Sequence, residues 1–181
     1  MLKSLEISTF SEEETFQLGL AIGTILKPMD VVLLVGDLGA GKTRLAKGVV
    51  AGATGVSPDE VVSPSFTLIN RFEGEFPVHH ADLYRIETDQ IEGIGLEDAL
   101  AEGGALIVEW AEKSSLQGPD ALVVIIGYGS NENERRILIQ WHEDGAWNER
   151  IETGILGKTP EEHLRGALRR NGPAETGRFA E

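Results

Sequence analysis

The sequence predicts an α/β fold, a mixed sheet flanked by helices with antiparallel strands at its edge. Three observations carry this. Val31-Val32-Leu33-Leu34-Val35 and Ala105-Leu106-Ile107-Val108 are short continuous apolar runs, the pattern of strands covered on both faces. Segments of helical spacing interleave with them. Two further pairs of strand-like runs sit around tight turns.

The elements follow in chain order. Ser11-Glu12-Glu13-Glu14 has the Ser-x-x-Glu form of a capping box. Leu18, Ile22, Ile25 and Leu26 then fall on one helical face until Pro28 stops the run. After the Val31–Val35 strand comes a glycine-rich loop. A helix from about Lys42 carries Leu45, Ala46, Val49 and Val50 as its apolar stripe, with Gly52 and Gly55 marking its end. Ser57 to Phe66 reads as loop. Thr67 to Phe72 and Phe76 to Ala81 read as strands joined at Glu73-Gly74-Glu75, and Gly95 to Gly103 as a short helix. Ala121 to Ile126 and Arg136 to Trp141 form a last strand pair around Asn131-Glu132-Asn133. Pro160 to Arg170 suits a helix, and the tail from Asn171 suits disorder.

Composition narrows the function classes. A chain of 181 residues is long enough to bury one real core. Sixteen basic against thirty acidic residues give a net charge of −14, which disfavours direct nucleic-acid binding by this chain alone. Without cysteine there is no disulfide, thiolate zinc site or cysteine nucleophile. No run approaches the ~18 apolar residues of a membrane helix, and Met1–Glu6 lacks the apolar stretch of a signal peptide. A cytoplasmic location without membrane attachment is expected.

Gly36-Asp37-Leu38-Gly39-Ala40-Gly41-Lys42-Thr43 meets the pattern G-x-x-x-x-G-K-[ST] between a buried strand and an amphipathic helix. Average residue frequencies give a chance match in roughly one such chain per hundred. Glycines let the loop curl so that its amides surround an anion, and the following helix adds the positive end of its dipole. Asp37, Leu38, Gly39, Ala40 and Gly41 are therefore expected around the phosphates. Lys42 would grip the β- and γ-phosphates, and the Thr43 hydroxyl would ligate Mg²⁺. The fold expected is that of a P-loop NTPase, with a P-loop domain over 1–145 and a partly helical or disordered extension over 146–181. ATP is favoured over GTP because Asn-Lys-x-Asp is absent, Asn70-Arg71-Phe72-Glu73 not matching it.

A P-loop needs an acid on the far side of the metal, and Glu109 leaves its strand at the end where α/β sheets place ligands. It would act directly or through water. Asp82 ends another strand; orienting the attacking water, sharing the metal and capping a turn are all open to it. His79 and His80 read as packing or hydrogen-bonding groups. Ser63-Pro64-Ser65-Phe66-Thr67 has the spacing of a loop whose hydroxyls sense the γ-phosphate. Trp110 would wall the nucleotide or fill core volume.

In this order, these pieces resemble the bacterial TsaE (YjeE) family, the small ATPase of tRNA threonylcarbamoyladenosine biosynthesis. The resemblance runs from about Phe10 to Trp141. Besides the P-loop it rests on Ser63-Pro64-Ser65-Phe66-Thr67-Leu68, His80-Ala81-Asp82-Leu83-Tyr84-Arg85, Gly95-Leu96-Glu97-Asp98 and Val108-Glu109-Trp110-Ala111-Glu112. It implies that Lys42 and Thr43 hold phosphate and Mg²⁺, that Glu109 completes the metal site, that Asp82 serves hydrolysis, and that Trp110 lies by the nucleotide. It also implies that Ser11 or its neighbours approach the base. TsaD and TsaB would be the partners, with tRNA reached only through their complex. Ser65 stands where the family usually has Thr, and Ala111 where Pro is common. A small-molecule kinase and a non-hydrolytic ATP-dependent scaffold are the competing readings; the former lacks an arginine-bearing lid beyond Arg135-Arg136 and Arg169-Arg170.

Overall fold

The apolar run Val31–Val35 occupies the interior of the sheet, where both its faces and both its edges are covered. The computed structural model describes residues 1–64, 67–116, 118, 120–156 and 169–170. Its elements are β1 (Leu2–Thr9), α1 (Glu12–Thr24), β2 (Val31–Val35), α2 (Lys42–Thr54), β3 (Ile69–Phe72), β4 (Val78–Asp82) and a 3-10 helix over Thr88–Ile94. Then come α3 (Leu96–Ala101), β5 (Ala105–Glu109), a 3-10 turn over Ala111–Lys113, β6 (Ala121–Tyr128), β7 (Arg135–His142) and α4 (Trp147–Ile151). A π-helical turn over Glu152–Leu156 follows α4, and β8 (Arg169–Arg170) is the last element.

The strand order is β3-β4-β5-β2-β6-β7-β1-β8. The interior strands β4, β5, β2 and β6 are parallel, whereas β3, β7, β1 and β8 add antiparallel pairings on the two sides. This is the P-loop NTPase-like mixed sheet with antiparallel edge strands that the sequence predicts.

Side-chain alternation divides the core in two. Val32, Leu34, Ile107 and Val124 face α1 and α2, joining Leu18, Ile22, Leu45 and Val49. Leu33, Leu106 and Val108 face the opposite way, joining Leu83, Ile91, Leu96 and Ala99. Every second residue of these strands thus serves a different layer, which explains why the runs show no apolar–polar alternation.

The Ser11 cap forms as expected, its hydroxyl accepting the Glu14 N–H at 3.1 Å. The Glu14 carboxylate, however, accepts from Phe10 N–H at 2.6 Å, one residue earlier than in a capping box. Gly52 does not end α2. The helix runs through it to Thr54 and stops at Gly55, which is left-handed with φ 77°. Gly52 instead belongs to a backbone contact between helices. A Cβ on Gly19 would lie 2.2 Å from Leu45 O, on Gly23 2.2 Å from Val49 O, on Gly48 2.2 Å from Phe16 O, and on Gly52 2.3 Å from Leu20 O.

Two differences lie at the ends of the chain. β1 was not expected, because Leu5 and Ile7 alone carry its inward pattern; pairing along its whole length with β7 makes it a strand. After Trp141 the chain returns to the core through Trp147, Ile151 and Ile155. Arg150 fastens this segment, donating to Asp30 Oδ1 at 2.8 Å and to Ile25 O at 2.8 Å, with its guanidinium over the Trp147 ring. The helix expected over Pro160–Arg170 and the tail from Asn171 lie outside the described residues, apart from Arg169–Arg170, which pairs as β8 with Ile7–Ser8.

Replacing Gly19 by Ala should lower unfolding free energy by about 2–3 kcal/mol, because backbone atoms of α2 block the new methyl. Gly93→Ala, which meets nothing within 4 Å, should stay within about 0.5 kcal/mol of the parent. Urea denaturation of the two variants measures the difference.

Candidate active site

Gly36 leaves β2 with φ 149° and so close to β6 that a Cβ would lie 2.2 Å from Ile126 O. Gly39 and Gly41 have φ values of 77° and 109°, where L side chains are strained. The loop they shape wraps back around Lys42. Lys42 is 4% exposed, and its ammonium donates to Gly36 O at 2.5 Å and Asp37 O at 2.9 Å, with the Trp110 ring centroid 3.6 Å away. From outside, the β6–β7 hairpin holds two other loop carbonyls. Tyr128 Oη donates to Leu38 O at 2.6 Å, and Arg135 Nε donates to Ala40 O at 2.9 Å.

Strand register supplies the acids. In the parallel ladders Glu109 aligns with Leu34 on one side and Asp82 on the other. Both carboxylates therefore end their strands beside the loop that follows β2. Thr43 Oγ1, in the first turn of α2, donates to Glu109 Oε2 at 2.7 Å. His80 Nε2 lies 2.8 Å from Glu109 Oε1, and both residues are almost fully buried. Asp82 Oδ1 accepts the Tyr84 N–H at 2.9 Å, and Ser63 Oγ lies 3.4 Å from its Oδ2. Trp110 follows Glu109 in the left-handed region, φ 59° and ψ 39°, and its ring tilts against Tyr84 with centroids 4.9 Å apart.

These groups share an open cleft of roughly 390 Å³ lined by Leu38, Gly39, Gly41, Lys42, Thr43, Ser63, Asp82, Tyr84, Arg85, Glu109 and Trp110. The sequence prediction meets here for most of its residues. Asp37 contributes through its carbonyl, and Ala40 is a fully buried member of the loop. Ser11 lies apart, in a smaller depression with Thr15, Arg44, Asn133 and Arg135 that shares only Gly39 and Gly41 with the cleft. Thr67 is exposed and donates to Asn70 Oδ1 at 2.6 Å. Ser65 lies outside the described residues.

Three contributions had no assigned role in the sequence reading. Tyr84 and Arg85 line the cleft although only their motif was singled out. Lys113 donates to the carbonyls of Leu83, Tyr84 and Ile86 at 3.1, 2.7 and 3.1 Å, tying down the loop that follows Asp82. The lysine lies far along the chain from that loop, and no spacing links them. His80 touches Glu109, one of the hydrogen-bonding roles expected of it.

Burial pushes the Lys42 ammonium below its usual pKa, against the pull of Glu109, Glu112, Asp82 and Asp37. A desolvated cation inside a curled glycine loop is suited to an anion, and left-handed Gly39 and Gly41 leave room where side chains would intrude. The Thr43 hydroxyl and Glu109 carboxylate are hard oxygen donors in contact. Among the described residues no group of three His, Asp or Glu gathers as a metal cage. A cation here would complete its shell from phosphate oxygens and water, which is the habit of magnesium. The residues present therefore fit a magnesium–polyphosphate ligand.

The family model for "threonylcarbamoyl adenosine biosynthesis protein TsaE" matches residues 9–138. The tRNA threonylcarbamoyladenosine biosynthesis protein TsaE of Bacillus subtilis is 37% identical over 138 residues, 75% of this chain and 85% of that protein. Its counterpart from a Nostoc species is 40% identical over 124 residues, 65% of this chain and 75% of that one. The crystal structure of YdiB from Bacillus subtilis superposes with a TM-score of 0.64 at 32% identity, covering 78% of this chain and 87% of that chain. No helix among the described residues is long and apolar enough to cross a membrane.

Two outcomes test this geometry. Because the folded-state pKa of Lys42 is lowered, its ionised form weakens the fold below that pKa, and the cost is relieved as pH rises toward 10.5. The stability of the parent relative to Lys42→Met should therefore improve over that alkaline window, as read by denaturation at a series of pH values. Lys113→Met should speed amide exchange over residues 83–86 by about tenfold while leaving the β2–β5 ladder unchanged.

Proposed function

The chain belongs to the TsaE family of threonylcarbamoyl adenosine biosynthesis proteins, and from this footing we propose that it binds ATP with magnesium in the cleft around Lys42 and slowly hydrolyses the terminal phosphate. The observation that carries the reading is the convergence of Lys42 and Thr43 at the start of α2, Asp82 at the end of β4 and Glu109 at the end of β5 on one glycine loop.

The loop amides and Lys42 bind the phosphates, the ammonium exchanging its bonds to Gly36 and Asp37 carbonyls for phosphate oxygens. Thr43 and Glu109 would hold Mg²⁺, which when bound neutralises charge on the β- and γ-oxygens. Asp82, anchored through one oxygen by the Tyr84 amide, keeps its other oxygen toward Ser63 and the cleft. From there it orients water for attack on the γ-phosphorus. Trp110 and Tyr84 form an aromatic wall that limits solvent access beside Lys42. Ser63 is the hydroxyl through which the 63–67 loop would sense phosphate.

Within the threonylcarbamoyladenosine pathway named for its relatives, the hydrolysis would support the TsaD and TsaB proteins rather than perform group transfer. tRNA would be met only through that complex, in the cytoplasm. A net charge of −14 supports a protein-facing role over direct RNA binding.

Phosphate release by the purified protein, with and without TsaD and TsaB from the same source, is the first test. Slow turnover that rises with the partners supports the proposal; brisk turnover indifferent to them counts against it. Lys42→Ala should weaken ATP binding by about 100-fold, a loss of the order expected for a charge-assisted contact. Asp82→Ala should leave affinity within about threefold and slow hydrolysis by about 10²–10⁴. Normal hydrolysis by Asp82→Ala would remove the water-orienting role.

A further inference from the structure

Strand alternation puts His80 and Glu109 on the same face of adjacent parallel strands. His80 aligns with Ile107, and Ile107 lies two residues before Glu109, so the histidine is the diagonal neighbour of the carboxylate. His79 points the other way by the same rule, and among the described residues the acid it approaches is Glu102, at 3.8 Å. His80 is fully buried, with its Nε2 2.8 Å from Glu109 Oε1. Its Nδ1 is buried and has no hydrogen-bond partner among the described residues. A proton on Nδ1 would be a buried donor without an acceptor, so the ring's proton belongs on Nε2, where it is donated to the carboxylate.

An aliphatic side chain at position 80 would avoid the unpartnered nitrogen, so core packing alone does not account for the imidazole. The carboxylate it touches explains it. P-loop proteins commonly place aspartate opposite the loop threonine; this chain has glutamate, with one more rotatable bond to immobilise. Glu109 Oε1 is held by His80 while Oε2 faces Thr43 Oγ1 at 2.7 Å. We infer that His80 is a positioning residue for metal binding: its Nε2–H fixes the Glu109 rotamer so that Oε2, which here accepts from Thr43, is presented to the cation. The inference rests on the proposed magnesium site at Thr43 and Glu109.

Mn²⁺ binding to the full-length protein with the β,γ-imido analogue of ATP, followed by the free-ion paramagnetic resonance signal, tests it. Metal-free nucleotide affinity and melting temperature are read alongside. His80→Leu should weaken Mn²⁺ by about 10–100-fold, with metal-free nucleotide affinity within twofold. His80→Gln, whose amide N–H reaches the same oxygen, should recover most of the loss, and the shorter His80→Asn should not. Parental Mn²⁺ affinity in His80→Leu overturns the inference, as does a Gln variant no better than Leu. Should His80→Leu fail to fold, the Gln and Asn pair decides, equal affinities overturning the inference. Glu109→Gln separates the two levels: undiminished Mn²⁺ binding there removes the metal site itself, whereas a loss there with none in His80→Leu removes only the role of His80.

Discussion

The cleft depends on the enclosure of β2. Val32 and Leu34 are buried against α1 and α2, Leu33 against the opposite layer, and β5 and β6 pair with the strand along its two edges. A strand enclosed in this way leaves its successor one exit, at the carboxyl end of the sheet. The glycine loop is therefore delivered to the same edge at which β4 and β5 release Asp82 and Glu109. Parallel pairing does the rest, since it aligns the ends of neighbouring strands.

The helix that follows the loop is held by an unusually close neighbour. Gly19, Gly23, Gly48 and Gly52 let the backbones of α1 and α2 touch, each glycine opposing a carbonyl of the other helix. This fixes the rotation of α2 and hence the direction of the Thr43 hydroxyl in its first turn. It also draws the start of α1 toward the far side of the loop, where Ser11 and Thr15 line the smaller depression with Gly39 and Gly41. On that side Arg135 and Tyr128 hold the loop's carbonyls from the β6–β7 hairpin. The loop is thus shaped from within by glycine torsions and from outside by side chains remote in sequence.

Features that oppose stability gather in the same place. Lys42 is desolvated, Glu109 is a buried acid, and Trp110 adopts a left-handed conformation, a departure of order 1–3 kcal/mol for a residue with a side chain. Elsewhere the chain shows the opposite economy: Arg150 and Asp30 form a paired, hydrogen-bonded contact that fastens the segment after β7 onto the core. Local strain concentrated at a preorganised cleft and relieved elsewhere is what a binding site for a charged ligand requires.

The sequence by itself determined the elements whose signals are local. The enclosed strands, the start of α2 at Lys42, the Ser11 cap and the loop glycines each follow from the residues within one element. It likewise identified the acids at the ends of β4 and β5, because an acid closing an apolar run is visible without a fold. Tertiary structure decided what depends on partners distant in the chain. Gly52 reads locally as a helix stop but serves a helix contact. β1 is weakly patterned and becomes a strand through β7. Lys113 anchors a loop some thirty residues before it, and the register of β4 against β5 selects His80, rather than His79, to face Glu109. Torsional and burial preferences are properties of a segment and can be read in order, whereas register and contact are properties of pairs that only the folded chain brings together.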